Sequence, residues 1–278
     1  NPEGLYFEPQ NASAFEDWVL WREGSAGTEG AMPTLDADDW RLIAWNRRSE
    51  DVFEVASGFA LHGDRFAPRS PWDGAPTTDG HRVYFEAQLP SEPADSAEDP
   101  SWVRSVISVP LDSPGEVTVI AEGTAPAANR ASGGVFWVQE DQAVIQDDTE
   151  LFAVATPGWT VSELAASTDL LVACVISDEG EDSWLLVWDL AQRSLRWAVE
   201  NGADWARLST SGHSLVWGNG TANSDPSMYW LESESGAVTF LGATPGFSLP
   251  LVSQDLFAVP TTTEQGAVIW RFLRDEGR

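Results

Sequence analysis

Short apolar runs, separated by turn-forming residues, recur along the whole chain. Each run has the length of one strand, is rich in β-branched and aromatic residues, and is bounded by Gly, Asp, Ser or Pro. Six runs share one form, in which a small or turn-forming residue is followed at once by a compact apolar run, and each is predicted to open a repeating unit. These six runs are residues 17–21, 80–85, 133–137, 169–173, 212–217 and 255–259.

Further strands follow the first one in each unit. A second apolar run is predicted at residues 40–45, 102–109, 142–145, 183–188, 227–231 and 267–270, and a third at 51–55, 116–120, 150–154, 194–199 and 237–241. A Trp closes the second run in four of the six units, as Trp45, Trp188, Trp230 and Trp270. A weaker fourth run, such as 161–165 or 247–251, leads into the next unit.

Four strands recurring at a period of roughly 40–50 residues are typical of β-propeller blades. The sequence therefore predicts an all-β fold, a six-bladed β-propeller with four-stranded antiparallel blades, as a single domain over residues 1–278. The blades are placed at approximately 16–66, 67–130, 131–166, 167–209, 210–252 and 253–278 plus 1–15. Because the last unit stops after its second strand, residues 5–7 are expected to pair with 267–271, which closes the ring and removes a free sheet edge. The alternative is a β-sandwich with additional strands.

Two connections are longer than the others, at residues 23–39 and 88–101, and the second is rich in Pro, Ser and acidic residues. Both join the first and second strands of their units. They are therefore predicted to be insertions that project from the same face of the propeller.

The second unit reads Thr-Asp-Gly-His-Arg-Val-Tyr-Phe over 78–85, Val-Ile-Ser-Val-Pro-Leu over 106–111 and Glu-Val-Thr-Val-Ile over 116–120. The unit thus begins with a turn and an apolar strand, continues with a strand that ends in a Leu-containing turn, and closes with a further strand. In this order it resembles one repeat of the TolB-like six-bladed propellers. Residues 132–137 and 211–217 look like degenerate copies. The resemblance implies the fold and an interaction platform in the periplasm or at the cell surface, although a minority of such propellers carry hydrolase or lyase sites. A shared fold does not identify one activity.

The charge balance is strongly acidic, with 44 Asp and Glu against 15 Lys and Arg and a formal net charge of −29. Nucleic acid and anionic membranes require a basic surface, so neither is expected as a partner. Cationic partners or divalent metal ions are favoured instead. No apolar run approaches the roughly 18 residues that span a bilayer. Since no signal-like segment follows Asn1, we expect an extracytoplasmic domain whose signal peptide or anchor was removed. We also expect this domain to be monomeric.

Residues for nucleophilic or zinc chemistry are sparse. The single Cys174 lies inside an apolar run, which predicts a buried and unreactive thiol. His81 and His213 occupy the same turn position of the repeat, which leaves His62 as the histidine with a candidate binding or catalytic role. The chain contains no Gly-x-Ser-x-Gly elbow and no zinc-ligand spacing.

Oxygen ligands, which calcium prefers, are easier to find. The acidic residues of two loops are candidates: Asp36, Asp38 and Asp39 in the first, and Asp178, Glu179, Glu181 and Asp182 in the second. Neither loop matches an ordered calcium-binding motif, and acidic loops exposed to solvent are the alternative. Calcium is therefore the one cofactor that the sequence leaves open.

Three aromatic residues occupy equivalent places in successive units: Trp159, Trp205 and Phe247. Each follows a third strand and begins the run that leads into the next unit. They are predicted to line the central funnel, where aromatic faces bind sugars or a partner's side chain. The alternative is that they pack between neighbouring blades.

The sequence thus predicts a complete scaffold without a catalytic constellation. We expect a non-catalytic, exported bacterial propeller that binds a protein or a cell-envelope component, either alone or as the extracytoplasmic domain of a membrane-anchored protein. The alternative is an enzyme, a calcium-assisted hydrolase or a carbohydrate-active propeller, with its site in the central channel.

Overall fold

The structure is a computed structural model that describes residues 6–26, 40–62, 75–90, 102–154, 157–180, 182–203, 205–220, 227–243, 251–253, 256–262 and 268–274. The chain divides into two compact units, Asn1–Pro126 and Ala127–Arg278. The single domain over residues 1–278 stays a prediction. Within the described ranges, no helix has the length and apolar character needed to cross a membrane.

The described part of the first unit contains two four-stranded antiparallel sheets and a short helix. Blade one has the strand order β1 (Tyr6–Phe15), β2 (Trp18–Ala26), β3 (Arg41–Asn46) and β4 (Val52–Ser57), and helix α1 (Gly58–His62) follows it. Blade two has the order β5 (Thr77–Thr78), β6 (Arg82–Pro90), β7 (Trp102–Pro110) and β8 (Thr118–Glu122). Strands β1 and β5 contact each other, as first strands do at the centre of a propeller.

The next sheets continue the same order. Blade three comprises β9 (Thr124–Ala128), β10 (Val135–Gln139), β11 (Ala143–Gln146) and β12 (Thr149–Ala153). Blade four comprises β13 (Trp159–Ala166), β14 (Leu170–Ser177), β15 (Ser183–Asp189) and β16 (Ser194–Glu200). Blade five comprises β17 (Trp205–Ser211), β18 (Ser214–Gly220), β19 (Ser227–Glu232) and β20 (Ala237–Ala243). The last sheet comprises β21 (Leu251–Ser253), β22 (Leu256–Thr262) and β23 (Val268–Arg274).

The protein is therefore an all-β propeller with four-stranded antiparallel blades, but the predicted number of such blades is wrong. The structure has five of them rather than six, and the last sheet contains three strands within the described residues. The error arises from the run that links successive units. This run pairs with the strands that follow it, as β13 does along β14, so blades three, four and five begin earlier than predicted.

The predicted pairing of the two chain ends is also wrong. Tyr6 and Phe7 pair with Ala26 and Ser25 of β2, whereas the described pairing of β23 is with β22. Two residues join β1 to β2, and the first of them, Glu16, adopts the positive φ of 52° typical of such a turn. Closing this short hairpin costs much less chain entropy than joining the two ends of the polypeptide.

Burial decreases from the second strand of a blade to the fourth. In blade four, the first six residues of β14 are buried, whereas no residue of β16 is. A second strand lies between two neighbouring blades and is covered on both faces, so its sequence is continuously apolar instead of alternating. The resulting core lies between blades, with Leu20 and Phe85 packed between blades one and two, and Leu185 and Trp217 between blades four and five.

The Trp residues that close the second runs pack between blades in part. Trp188 of blade four stacks on Phe152 of blade three, with ring centroids 5.4 Å apart. Trp230 packs against the cluster that contains Val252 of the last sheet. Trp45, in contrast, is 37% exposed. The two long connections join β2 to β3 and β6 to β7 as predicted, and most of their residues, 27–39 and 91–101, lie outside the described ranges.

Candidate functional site

The turn between β14 and β15, residues 178–182, is called the acidic turn here. Its backbone is fixed by hydrogen bonds at both ends. The Ser177 amide donates to the Asp182 carbonyl oxygen (2.9 Å), and the Gly180 amide donates to the Ser177 carbonyl oxygen (2.8 Å). Asp178, Glu179 and Asp182 are all exposed, while Glu181 lies outside the described residues. The fold therefore presents at least three carboxylates from one ordered turn.

Trp159 lies beside the acidic turn. It opens β13 directly opposite Ser177, and it is half-buried. The Asp178 amide donates a hydrogen bond to the carbonyl oxygen of Gly158, the residue before Trp159, at 2.7 Å. A Cβ placed on Gly158 would lie 3.9 Å from the Asp178 Oδ2 atom. The structure thus brings together two predicted groups, a funnel aromatic and an acidic loop, that are separated along the sequence.

The carboxylates of the acidic turn have no ion pair among the described residues. Two buried acids elsewhere are paired, in contrast: Glu163 with Arg207 at 3.0 Å, and Glu86 with Arg104 at 2.7 Å. Among the described residues, the negative charge of the acidic turn is therefore not compensated by an ion pair, and the pairing of Trp159 with Ser177 places Trp159 on the strand beside this turn. This combination attracts a guanidinium or ammonium group, through Coulomb attraction and through the negative face of the indole.

A metal site of at least three ligands is not formed by the His, Cys, Asp and Glu residues that the structure describes. The proposed calcium ligands Asp178, Glu179, Glu181 and Asp182 include one residue outside these ranges, so that assignment stays a prediction. Asp36, Asp38 and Asp39 lie outside the described residues altogether.

The other predicted site residues have different outcomes. Trp205 opens β17, the position in blade five equivalent to that of Trp159 in blade four, as predicted. His62 is the last residue of α1. Phe247 lies outside the described residues. The structure therefore places Trp159 beside the acidic turn in the sheet, and a binding role for Trp159, Trp205, Phe247 and His62 stays a prediction.

A buried charged cluster in the first unit was missed by sequence reasoning. Arg22 is 3% exposed, with its guanidinium 5.3 Å from the Trp40 ring centroid, and it donates to the Glu86 carbonyl oxygen at 3.2 Å. The Glu86 carboxylate accepts hydrogen bonds from Arg104 Nε (2.7 Å) and from the Ala125 amide (3.1 Å). These contacts connect blades one and two to the start of β9. The sequence feature that could have revealed this cluster is the presence of Arg22 and Glu86 inside otherwise apolar strands.

Glu163 connects blades four and five in a similar way. Its carboxylate accepts hydrogen bonds from Arg207 (3.0 Å) and from the Leu208 amide (2.9 Å), both on β17. In both places a carboxylate binds an Arg together with a backbone amide of another blade's first strand. Because a buried charge requires such partners, these acids hold the scaffold together and are not available to a ligand.

Several residues with reactive side chains are occupied by structural roles. Cys174 is buried as predicted, and desolvation raises the pKa of its thiol to about 12. Asn219, which begins an Asn-Gly-Thr glycosylation pattern, is 6% exposed and donates to Asn201. His81 and His213 lie in equivalent turns before β6 and β18, which confirms their shared position in the repeat.

The comparisons with known proteins show the fold. No protein-family model matches the chain, and no curated protein does. The crystal structure of TolB from Acinetobacter baumannii matches with a TM-score of 0.52 and 11% sequence identity, over 98% of this chain and 78% of that chain. An oligogalacturonate lyase in complex with manganese matches with a TM-score of 0.54 and 12% identity, over 98% of this chain and 97% of that chain. The TolB-like resemblance is confirmed as a fold, and that fold supports more than one activity.

Proposed function

We propose that this chain is a non-catalytic binding module that recognises a positively charged segment of a partner protein or cell-envelope component. Trp159 and the acidic turn form the contact surface. The observation that carries the proposal is the set of carboxylates Asp178, Glu179 and Asp182, which have no ion pair among the described residues and lie in a turn whose backbone is hydrogen-bonded to the residue before Trp159. The net charge of −29 supports the same polarity of partner, because it steers cations toward the surface.

The expected contribution of the site follows from its exposure. An exposed ion pair contributes about 0.2–1 kcal/mol, and a cation over an exposed indole contributes about 0.5–1 kcal/mol. Three carboxylates therefore supply about 0.6–3 kcal/mol, which corresponds to a change of roughly threefold to 150-fold in Kd. A partner without Arg or Lys at this place gains none of it.

The test measures binding of a fluorescein-labelled octa-arginine peptide by anisotropy. The variant Asp178→Asn/Glu179→Gln/Asp182→Asn is expected to raise the Kd by about threefold or more. The matched control, Asp147→Asn/Asp148→Asn/Glu150→Gln, removes three exposed charges from blade three and is expected to change the Kd by less than about twofold. Equal weakening in both variants would show that net charge alone drives binding, and would refute a specific site.

A natural partner is sought with the same pair of variants. Envelope extracts are passed over immobilised wild-type protein and both triple variants, and retained proteins are quantified. A partner of this site is retained by the wild type and the blade-three control but lost from the acidic-turn variant. A protein retained equally by all three binds elsewhere.

The second candidate is the enzyme with a metal in its channel. The observation in its favour is the match to a lyase that was crystallised with manganese, together with carboxylates of the kind that Ca²⁺ and Mn²⁺ prefer. Isothermal titration of the wild type and the acidic-turn variant with Ca²⁺ and with Mn²⁺ tests it. Metal binding that disappears in the variant would support this candidate, and the absence of any heat of binding would eliminate it.

We also propose an extracytoplasmic location and a monomeric state. The TolB-like fold supports the first, and mutual repulsion between chains of charge −29 supports the second. Alkaline phosphatase, which is active after export, fused to the product of the full-length gene tests the location. Light scattering after size-exclusion chromatography tests the monomer.

A further inference from the structure

The outer edge of blade five differs from the outer edges of the other four-stranded blades. β20 (Ala-Val-Thr-Phe-Leu-Gly-Ala) has no charged residue, whereas β4, β8, β12 and β16 each have at least one. Within the described ranges no strand pairs with the outer edge of β20. Edge strands usually carry charged side chains that prevent pairing with another chain. β20 lacks this protection in a protein that is otherwise highly charged.

Exposed apolar side chains accompany this edge. Val238 is 46% exposed and Phe240 is 59% exposed. Phe240 is the outer end of a row of three aromatic rings, with centroids 5.5 Å from Phe240 to Tyr229 and 5.2 Å from Tyr229 to Trp217. Trp217 is buried in the core between blades four and five. Aromatic side chains supported from behind in this way are typical anchors of protein interfaces.

The start of β20 is held by the neighbouring blade. Trp197 of β16 packs against Gly236, the residue before β20, and its Nε1 donates to the Ser233 carbonyl oxygen at 2.7 Å. The strand is therefore positioned before a partner arrives. A pre-organised edge gives up little conformational entropy on binding.

We propose that the outer edge of β20 binds an extended segment of a partner protein as an added strand. The segment has apolar residues at alternate positions, which pack beside Val238 and Phe240, and Arg or Lys at one end. The basic end faces Glu232, the last residue of β19, and Glu234 in the turn before β20. Main-chain hydrogen bonds supply the affinity and the alternate side chains supply the specificity.

The charge of the chain selects this occupant over a second copy of the protein. Pairing two β20 edges brings together two chains of net charge −29. Their mutual repulsion opposes a homodimer, whereas a basic segment is attracted to the same surface.

This site is separate from the proposed function. β20 is the fourth strand of blade five, while Trp159 and the acidic turn belong to the first two strands of blade four and their connection to the third. Either proposal can fail while the other holds.

The test uses the synthetic peptide Arg-Thr-Val-Thr-Val-Thr-Arg, labelled with fluorescein, and the full chain. Binding is followed by anisotropy, and the binding place by hydrogen exchange of the β20 amides. Val238→Lys and Phe240→Ser are each expected to weaken binding by about tenfold or more, and the peptide is expected to slow exchange in β20. The matched control Val119→Lys places the same charge at a valine of β8 that is 52% exposed, and is expected to change the Kd by less than about twofold.

Four results would overturn the proposal. The first is equal weakening by Val119→Lys and Val238→Lys. The second is unchanged exchange of the β20 amides with peptide present. The third is a dimer that Val238→Lys dissociates, which would make a second copy the occupant. The fourth is loss of peptide binding in the acidic-turn triple variant but not in Val238→Lys, which would assign the peptide to the acidic turn.

Discussion

Replacing Gly236 with Ala tests the contact between the outer strand of blade four and the turn that precedes the outer strand of blade five. Gly236 has a φ of +74° and lies in the turn between β19 and β20. A Cβ at this position would lie 2.6, 2.8 and 2.9 Å from three ring carbons of Trp197 on the neighbouring blade. Ordinary carbon contacts are about 3.5–4.0 Å, so the indole must move by about 1 Å or the turn must open.

The expected loss of stability has two parts. An L-residue in the left-handed region costs about 1–2 kcal/mol relative to Gly. Moving the indole also weakens the hydrogen bond from Trp197 Nε1 to the Ser233 carbonyl oxygen, worth about 1 kcal/mol, and loses packing around the ring. Together the substitution is expected to lower the free energy of unfolding by about 2–4 kcal/mol.

Gly133 provides the matched control. It is also half-buried, has a φ of +79°, and no atom of the described part of the chain would lie within 4 Å of an added Cβ. Gly133→Ala is therefore expected to cost only the backbone part, about 1–2 kcal/mol. Urea unfolding monitored by far-ultraviolet circular dichroism measures both variants, with m-values compared to detect loss of cooperativity.

A double-mutant cycle isolates the contact itself. In a Trp197→Ala background the ring is gone, so Gly236→Ala is expected to cost no more than Gly133→Ala does. Equal costs for Gly236→Ala and Gly133→Ala in the wild-type background would refute the reasoning, because the indole would then contribute nothing. A cost of Gly236→Ala that persists without the ring would assign it to the backbone alone.

Three further predictions concern the turns, the thiol and the inter-blade carboxylate. Asp148→Gly is expected to raise the free energy of unfolding by about 0.5–1 kcal/mol, because Asp148 has a φ of 57° in a two-residue turn that favours Gly; a lower urea midpoint would contradict this. Cys174, with its pKa raised by desolvation from the usual thiol value of 9.0 to about 12, is expected not to react with Ellman's reagent in the native protein at about pH 8 and to react fully in urea. The folded state keeps the thiol proton to a higher pH than the unfolded state does, so the contribution of this pKa difference to the free energy of unfolding is present below pH 9.0 and is lost as the pH rises to about 12. A urea midpoint that does not fall over that pH window would contradict this prediction. Glu163→Gln is expected to cost about 1–3 kcal/mol because it removes the charge that pairs with the next blade, whereas Glu179→Gln, at an exposed site without an ion pair to any described residue, is expected to stay within about 0.5 kcal/mol; equal urea midpoints for the two variants would show that the inter-blade pair contributes little.

The sequence analysis identified residues of the candidate site separately but did not predict that they lie close together. Trp159 was named as a funnel aromatic and Asp178 as a possible metal ligand, but their proximity depends on the register of β13 against β14, which places Trp159 opposite Ser177. The sequence contains no sign of that register, because both strands are apolar along most of their length. The pairing of Glu163 with β17 was also missed, since it joins residues more than 40 positions apart.

The strand positions, by contrast, follow directly from the sequence. Runs such as 169–173 and 212–217 are apolar because second strands lie between two blades, and turn residues mark their ends. This local signal needs no knowledge of the partner strand. The burial of Cys174 was predicted on the same basis.

The sequence by itself therefore determined the fold class, the repeat and nearly every strand, because each is encoded in a few adjacent residues. The tertiary structure alone decided which sheet each linking strand joins, that β1 belongs to blade one, and which carboxylates are paired or left open. Those outcomes depend on competition between similar apolar strands and on contacts between distant residues. The differences in hydrogen bonding and chain entropy that settle them arise only when the sheets assemble.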